Sequence, residues 1–110
     1  MRIAFTSRGR DWDAQIDPRF GRTDYILLYD EENDKLTAQD NRDIHNVGHG
    51  AGPKTAEKLF GMQPDVLITG NGPGGNAQNI LNRMNIEIHT GAGGMTVRQA
   101  YQAYKDNKLR

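Results

Sequence analysis

The stretch DVLITGNGPGGN at residues 65–76 decides the fold, because a short apolar run breaks abruptly there into a glycine-rich loop. Apolar and β-branched residues in unbroken succession are typical of a strand that is buried on both faces of a parallel sheet. Pro73 suits the first turn of a helix. Apolar residues then share one helical face: Ala77, Ile80, Leu81 and Met84. The loop should therefore present backbone N–H groups at a helix N-terminus, where bound anions are favoured.

The length and composition predict one domain over residues 1–110, with a single hydrophobic core. Fourteen basic residues balance fourteen acidic ones, which argues against binding of nucleic acid or a membrane surface through overall charge. The absence of cysteine excludes disulfides, thiolate metal sites and cysteine nucleophiles. The first residues contain no apolar stretch long enough for a signal peptide or a membrane span, so the cytoplasm is the expected location.

Hydrophobic patterning predicts five strands and three helices. The strands are expected at residues 2–6, 25–30, 35–39, 66–69 and 86–90, and the helices at Pro53 to Gly61, from Pro73, and from Thr96. A short acidic turn separates the second and third strands, which should form an antiparallel hairpin. Thr96 and Gln99 have the spacing of a capping box, and the charged tail 105–110 is expected to fray. The order of these elements predicts an α/β sheet with helices on both faces.

Topology predicts that the glycine-rich loops meet. If the first, fourth and fifth strands are parallel, loops 7–18, 70–76 and 91–95 lie at one edge of the sheet. If the second strand is antiparallel to the first, segments 18–23 and 42–53 lie at the same edge. The glycines exceed what turning requires, so we expect a binding site made of backbone N–H groups and a few basic side chains. The alternative is that the glycines only end helices and turn corners.

Enzymatic and dinucleotide-binding functions are disfavoured by the same loops. Gly70, Gly72 and Gly75 have the spacing of a dinucleotide fingerprint, but Pro73 removes one donor and Thr90 stands where a ribose-binding carboxylate would be. A metal-dependent nuclease would need carboxylates on the first strand, which has none. The sequence offers neither a nucleophile–base pair nor a convincing carboxylate pair, so we do not expect an enzyme.

Single side chains leave several alternatives open. Trp12 fits either the edge of the core or a mobile lid over a ligand. His49 is the best-placed candidate to ligate a metal, although a lone loop histidine is more often polar surface. Arg22 could serve an anion site or pair with Asp24 or Asp30.

Motifs in four places follow one another in a particular order. They are Pro18–Arg22 before the second strand, His49–Gly52 before the first helix, Thr69–Pro73 after the buried strand, and Thr90–Gly94 leading into Thr96 and Val97. In this order they resemble the dinitrogenase iron-molybdenum cofactor biosynthesis family. The resemblance implies a ribonuclease H-like three-layer α/β fold, whose five-stranded mixed sheet has the order 3-2-1-4-5 with strand 2 antiparallel and helices on both faces.

The resemblance also implies a function. It is the noncovalent binding or carriage of an anionic, molybdenum-containing metal-sulfur cluster, without catalysis. The cargo would be a molybdenum-copper sulfide cluster, as in the orange-protein branch of the family, or an iron-molybdenum cofactor precursor. Cluster donor or acceptor proteins would be the partners, with no role for nucleic acid or a membrane. The alternative is a small-anion or nucleotide-binding sensor module.

A set of cluster-contacting residues follows from the resemblance and the loops together. It comprises Arg19, Phe20, Gly21, Arg22, His49, Gly50, Gly52, Lys54, Asn71, Gly72, Gly74, Gly91, Gly93 and Gly94, with His49 as the candidate metal ligand. The N–H groups of residues 70–75 and 91–94 would donate to the cluster sulfurs. The basic side chains would offset its charge, and Trp12 with Phe20 would shield it. Many family members have histidine at the position of Arg19, so charge attraction is favoured here over direct ligation.

Overall fold

Five strands and three α-helices make up the computed structural model, which describes all of residues 1–110. The strands are β1 (Arg2–Ser7), β2 (Tyr25–Asp30), β3 (Lys35–Asp40), β4 (Val66–Ile68) and β5 (Glu87–His89). The helices are α1 (Ala51–Met62), α2 (Gly75–Leu81) and α3 (Val97–Lys105), and short 3-10 helices span Arg42–Asn46 and Asn82–Met84. The predicted strands agree with these bounds to within one residue at each end.

The sheet has the strand order β3-β2-β1-β4-β5. Strand β2 is antiparallel to both of its neighbours, whereas β4 pairs in parallel with β1 and with β5. Helix α3 packs on one face of the sheet, and α1 and α2 pack on the other. The ribonuclease H-like architecture expected from the sequence is therefore confirmed. No helix has the length and apolar content to cross a membrane.

The central strands divide their side chains between two core layers. In β4, Val66 and Ile68 face α3, while Leu67 lies between the sheet and the other two helices. All three side chains are fully buried, and so is Phe5 in the neighbouring strand. A side chain of this kind stabilises a fold by about 1.5–3 kcal/mol when it leaves water. The unbroken apolar run of β4 thus has the two-sided burial that its pattern predicted.

Trp12 belongs to the core rather than to a lid. Its ring lies 4.8 Å from the ring of Tyr29 and 5.6 Å from that of Tyr101, in edge-on and tilted arrangements that favour aromatic pairs. Its carbonyl also accepts the N–H of Arg98 at 3.0 Å. Phe20 is 4% exposed and lies in the opposite core layer. The expectation that these two rings shield a ligand is therefore wrong.

Helix α1 differs at both ends from its predicted bounds. It begins at Ala51, before Pro53, so the segment 42–53 is not a simple loop. It continues through Gly61 to Met62, and the following Gln63 adopts a left-handed conformation with φ of 52°. The helix therefore ends at Met62, because the left-handed Gln63 breaks the helical hydrogen-bonding pattern.

Helix α2 also starts later than expected. Gly74 is its N-cap and Gly75 its first residue, so Pro73 lies before the helix and not in its first turn. Helix α3 begins as predicted: Thr96 Oγ1 accepts the N–H of Gln99 at 3.1 Å, and the Gln99 side chain accepts the N–H of Thr96 at 2.9 Å. The predicted capping box is confirmed.

The chain after α3 is folded, contrary to the expectation that it frays. Asn107 has a left-handed conformation with φ of 57°, and the Lys108 N–H donates to Ala103 O at 2.8 Å. Leu109 then packs against the core layer under α3. The left-handed residue therefore closes the helix and turns the chain back along the protein.

We predict that Gly70→Ala lowers the free energy of unfolding by about 2 kcal/mol. The added β-carbon would lie 2.6 Å from Pro18 Cα, so the backbone at Pro18 or Gly70 would have to shift. The control is Gly61→Ala, where the added carbon meets nothing within 4 Å and helix propensity improves. That variant should gain about 0.5–1 kcal/mol. Urea unfolding followed by circular dichroism measures both values. Equal effects in the two variants would contradict the close packing.

Candidate functional site

The loops after β4 and β5 and the segment before β2 are joined by backbone contacts. The Asn71 N–H donates to Pro18 O at 2.8 Å, and the Gly91 N–H donates to Gly70 O at 2.9 Å. A β-carbon on Gly93 would lie 3.9 Å from Pro18 Cβ and 4.0 Å from Gly70 Cα. The structure therefore brings together three of the glycine-rich segments that topology predicted to meet.

The N-terminus of α1 joins the same edge through small residues. A β-carbon on Gly21 would lie 2.9 Å from both Cα and N of Gly52, and one on Gly52 would lie 3.3 Å from Ala77 Cβ. Thr55 Oγ1 also donates to Gly21 O at 2.6 Å. Only glycine at the first of these positions allows the segment before β2 to touch α1.

Helices α1 and α2 begin at this edge without side-chain caps. Their N-caps are Gly50 and Gly74, neither of which can accept a hydrogen bond through a side chain, and no acidic residue lies in either first turn. Helix α3, in contrast, is closed by its own capping box. The first N–H groups of an uncapped helix need partners from outside the helix, and the helix dipole favours an anion there.

Several loop N–H groups donate no hydrogen bond within the protein. They are those of Gly72, Gly74, Gly93 and Gly94, all of which are exposed. The prediction that residues 70–75 and 91–94 all donate to a ligand is partly wrong, because Pro73 has no N–H and the N–H groups of Asn71, Gly91 and Ala92 already have carbonyl partners. Four exposed donors remain on two neighbouring loops, next to the N–H of Gly75, the first residue of α2.

Arg19 is not a free cation. Its Nε and Nη2 atoms donate to the two carboxylate oxygens of Asp17, each at 3.1 Å. Asp17 is fully buried, while the Arg19 side chain is 50% exposed. The Asp17 carboxylate also accepts the backbone N–H groups of Arg19 at 3.1 Å and Asp24 at 3.2 Å. The ion pair and these two hydrogen bonds fix the segment that precedes β2.

Arg22 pairs with neither Asp24 nor Asp30, and both of those alternatives are wrong. Its Nη2 donates to Val47 O at 3.0 Å and its Nη1 to Ile44 O at 3.3 Å. These contacts tie the segment before β2 to the end of the 3-10 helix. The charge of Arg22 is hydrogen-bonded to neutral carbonyl groups, so no carboxylate cancels it.

Lys54 lies at the flank of the loop edge. It is exposed in the first part of α1 and lines a groove with Asp43, Glu57 and Lys58. Asp43 is paired with Lys58, whose Nζ lies 2.6 Å from Asp43 Oδ1. Lys54 itself makes no ion pair, so its charge is not cancelled by a carboxylate.

The histidines do not form a metal centre. His49 is exposed in the loop before α1, and no group of three or more histidine, cysteine, aspartate or glutamate side chains is placed to hold a metal ion. His89 lies under α3, with Nε2 at 2.8 Å from Glu87 Oε2 and its ring 5.1 Å from that of Tyr104. At most one other side chain of these types could therefore join His49 in ligating a metal.

Asp17 is not among the predicted site residues, although its buried carboxylate fixes the segment before β2. Beneath the loops its carbonyl accepts Thr6 Oγ1 at 2.8 Å, and Thr6 Oγ1 lies 2.8 Å from Thr69 Oγ1. The sequence did carry one signal: aspartate followed by proline and then arginine fits a turn in which the carboxylate accepts an N–H two residues later. This buried seam joins the carboxyl ends of β1 and β4.

Comparison with known proteins shows which family the chain belongs to. The family model described as dinitrogenase iron-molybdenum cofactor matches residues 1–107. The chain belongs to this family. It is 34% identical to the orange protein from Desulfovibrio gigas, solved in its apo form, with a TM-score of 0.91 over 99% of this chain and 90% of that one.

A Thermotoga protein solved by NMR, assigned to NifB and to the DUF35 family, is also similar. Its identity to this chain is 30% and its TM-score 0.82, over 99% of this chain and 90% of that one. The comparison with curated proteins found no match. Family and fold together support a relationship to metal-sulfur cofactors and a cofactor-binding or carrier role.

We predict that Asp17 makes stability depend on pH. Burial, the largest single influence, raises the pKa of Asp17, but hydrogen bonds and charge from Arg19 and the Asp24 N–H outweigh it, so this pKa is lowered overall from 3.8. The ionised carboxylate therefore stabilises the fold above about pH 4, and this contribution is lost as the pH falls through the lowered native pKa. Asp17→Asn should cost about 1–3 kcal/mol at neutral pH, and less as the solution approaches pH 3.

The matched control is Asp13→Asn, because the Asp13 side chain is 83% exposed and its nearest cationic group, on Arg98, is 3.5 Å away. Its stability should stay within about 0.5 kcal/mol of the wild type at every pH. Urea unfolding between acidic and neutral pH measures both variants. If the Asp17→Asn variant kept the wild-type pH dependence, the assigned role of the buried carboxylate would be wrong.

Proposed function

We propose that the loop edge binds and carries an anionic, molybdenum-containing metal-sulfur cluster as cargo, without chemical turnover. The single observation that carries this proposal is the set of exposed, unpartnered N–H groups at Gly72, Gly74, Gly93 and Gly94. The uncapped N-termini of α1 and α2 begin at the same edge. Backbone donors and helix dipoles together favour an anionic ligand.

Hydrogen bonding suits this cargo better than ligation by side chains does. The chain has no cysteine, and no group of three ligating side chains is available. A cluster bound here would therefore bring its own sulfides, whose negative charge makes them hydrogen-bond acceptors. Each hydrogen bond to a charged group contributes about 1.5–3 kcal/mol, so four donors could hold such a cluster without a covalent bond.

The glycines at the edge then have two separate roles. Gly21 and Gly52 permit close packing, whereas Gly72, Gly74 and Gly93 leave their N–H groups open to a ligand. Arg19 would contribute through the fixed position of its loop, because its charge is already paired with Asp17.

The cargo we propose is a molybdenum-copper sulfide cluster or an iron-molybdenum cofactor precursor. Both are polyanions with sulfur at the surface, which is the chemistry that the N–H groups would recognise. We further propose cluster donor and acceptor proteins as partners and the cytoplasm as the compartment. His49 remains a proposed metal ligand, and its exposed position before α1 leaves it accessible to a cluster.

The test begins with uptake. Purified protein is mixed with tetrathiomolybdate and a copper salt, desalted, and analysed by visible spectroscopy and metal content. We expect coloured protein with stoichiometric molybdenum and copper. Colourless protein without metal would contradict the molybdenum-copper assignment, and perturbation of the loop amides by ATP or AMP would then favour the nucleotide-sensor function.

A substitution at Gly74 tests the N–H groups directly. Gly74 has φ of −70° and its β-carbon position is open, so proline fits the backbone there and removes only the N–H. Gly74→Pro should weaken cluster binding by about tenfold, since one hydrogen bond to a charged acceptor is lost. Gly74→Ala keeps the N–H and is the matched control, with affinity near that of the wild type. Equal affinities for both variants would exclude this N–H as a donor.

A further inference from the structure

The segment that follows α3 reaches the candidate site. After the left-handed turn at Asn107, Leu109 packs against the core and Arg110 lies over the loop that follows β5. The Cδ and Cγ atoms of Arg110 are 3.9 and 4.0 Å from the position that a β-carbon on Gly91 would occupy. Gly91 has φ of 85°, a conformation that favours glycine, and the arginine stem lies beside it at a distance that would just admit a β-carbon.

This contact places Arg110 next to the donors described above. The Gly91 N–H donates to Gly70 O, which links the loop under Arg110 to the loop that follows β4. The exposed N–H groups of Gly93 and Gly94 follow two and three residues after Gly91. The arginine stem therefore lies at the border of the N–H cluster.

The guanidinium of Arg110 has no partner in the protein. The residue is exposed, and its guanidinium makes neither an ion pair nor a hydrogen bond within the protein. In contrast, Arg19 is paired with a buried carboxylate and Arg22 donates to two carbonyl groups. An unpaired guanidinium has five donors in a planar fork and stays charged at any physiological pH.

We propose that Arg110 is the cationic contact of the site, and that it attracts a polyanionic thiometallate and donates to its outer sulfurs. This inference rests on the proposed function, because it assigns a residue to the same edge. The turn at Asn107 and the packing of Leu109 hold the arginine in place, so the segment after α3 completes the site. Backbone donors provide the hydrogen bonds, and the guanidinium of Arg110 adds the charged donor that they lack.

The test compares Arg110→Gln with Arg83→Gln. Arg83 is also exposed, but it lines a groove with Gln63 and Asp65, which precede β4 and so lie at the opposite edge of the sheet. Both substitutions remove one positive charge. Tetrathiomolybdate with copper is titrated into the wild type and both variants at low and at moderate ionic strength, and the absorbance of the bound cluster is recorded.

We expect Arg110→Gln to weaken binding by roughly fivefold at low ionic strength and to reduce the dependence of affinity on salt. Arg83→Gln should change neither quantity. Arg110→Gln with wild-type affinity and salt dependence would overturn the role of Arg110 while the proposed function stands. An equal loss in both variants would also overturn it, because net charge alone would then explain the effect. A wild-type protein that binds no cluster would overturn the proposed function and this inference together.

Discussion

The close contact between Gly70 and Pro18 is the constraint on which the loop edge depends. It brings the segment before β2 against the loop after β4, and the hydrogen bond from the Asn71 N–H to Pro18 O keeps them together. Below this contact, the hydroxyl groups of Thr6 and Thr69 lie 2.8 Å apart. A side chain at Gly70 would separate the loops, because packed backbone has no room to yield.

In this packing some backbone N–H groups donate to carbonyls of the protein, and others remain available to a ligand. Where two loops cross, the N–H groups of Asn71 and Gly91 pair with carbonyls and stabilise the edge. Where the loops turn outward, the N–H groups of Gly72, Gly74 and Gly93 face no protein acceptor. Rigid loops hold such donors in fixed positions, so little conformational entropy is lost when an anion binds. The same glycine-rich sequences thus support both the fold and the proposed binding surface.

The sequence predicted the fold better than it predicted the site. Apolar runs such as that of β4 report burial directly, and the parallel arrangement of its neighbours then placed the loops at one edge. The pairing of Arg19 with Asp17 and the contacts of Arg22 could not be predicted, because they depend on side-chain directions set by tertiary packing. Arg110 was missed for a related reason: only the left-handed turn at Asn107 brings it back to the loops.

The central claim is that exposed backbone N–H groups bind the cargo, and amide chemical shifts test it most directly. Two-dimensional 15N NMR spectra would be recorded while tetrathiomolybdate and copper are added to the labelled protein. The largest shifts should fall on Gly72, Gly74, Gly93 and Gly94, whose N–H groups have no partner in the protein. Small shifts there, with larger ones around Phe60 and Arg83 at the opposite edge, would contradict the account.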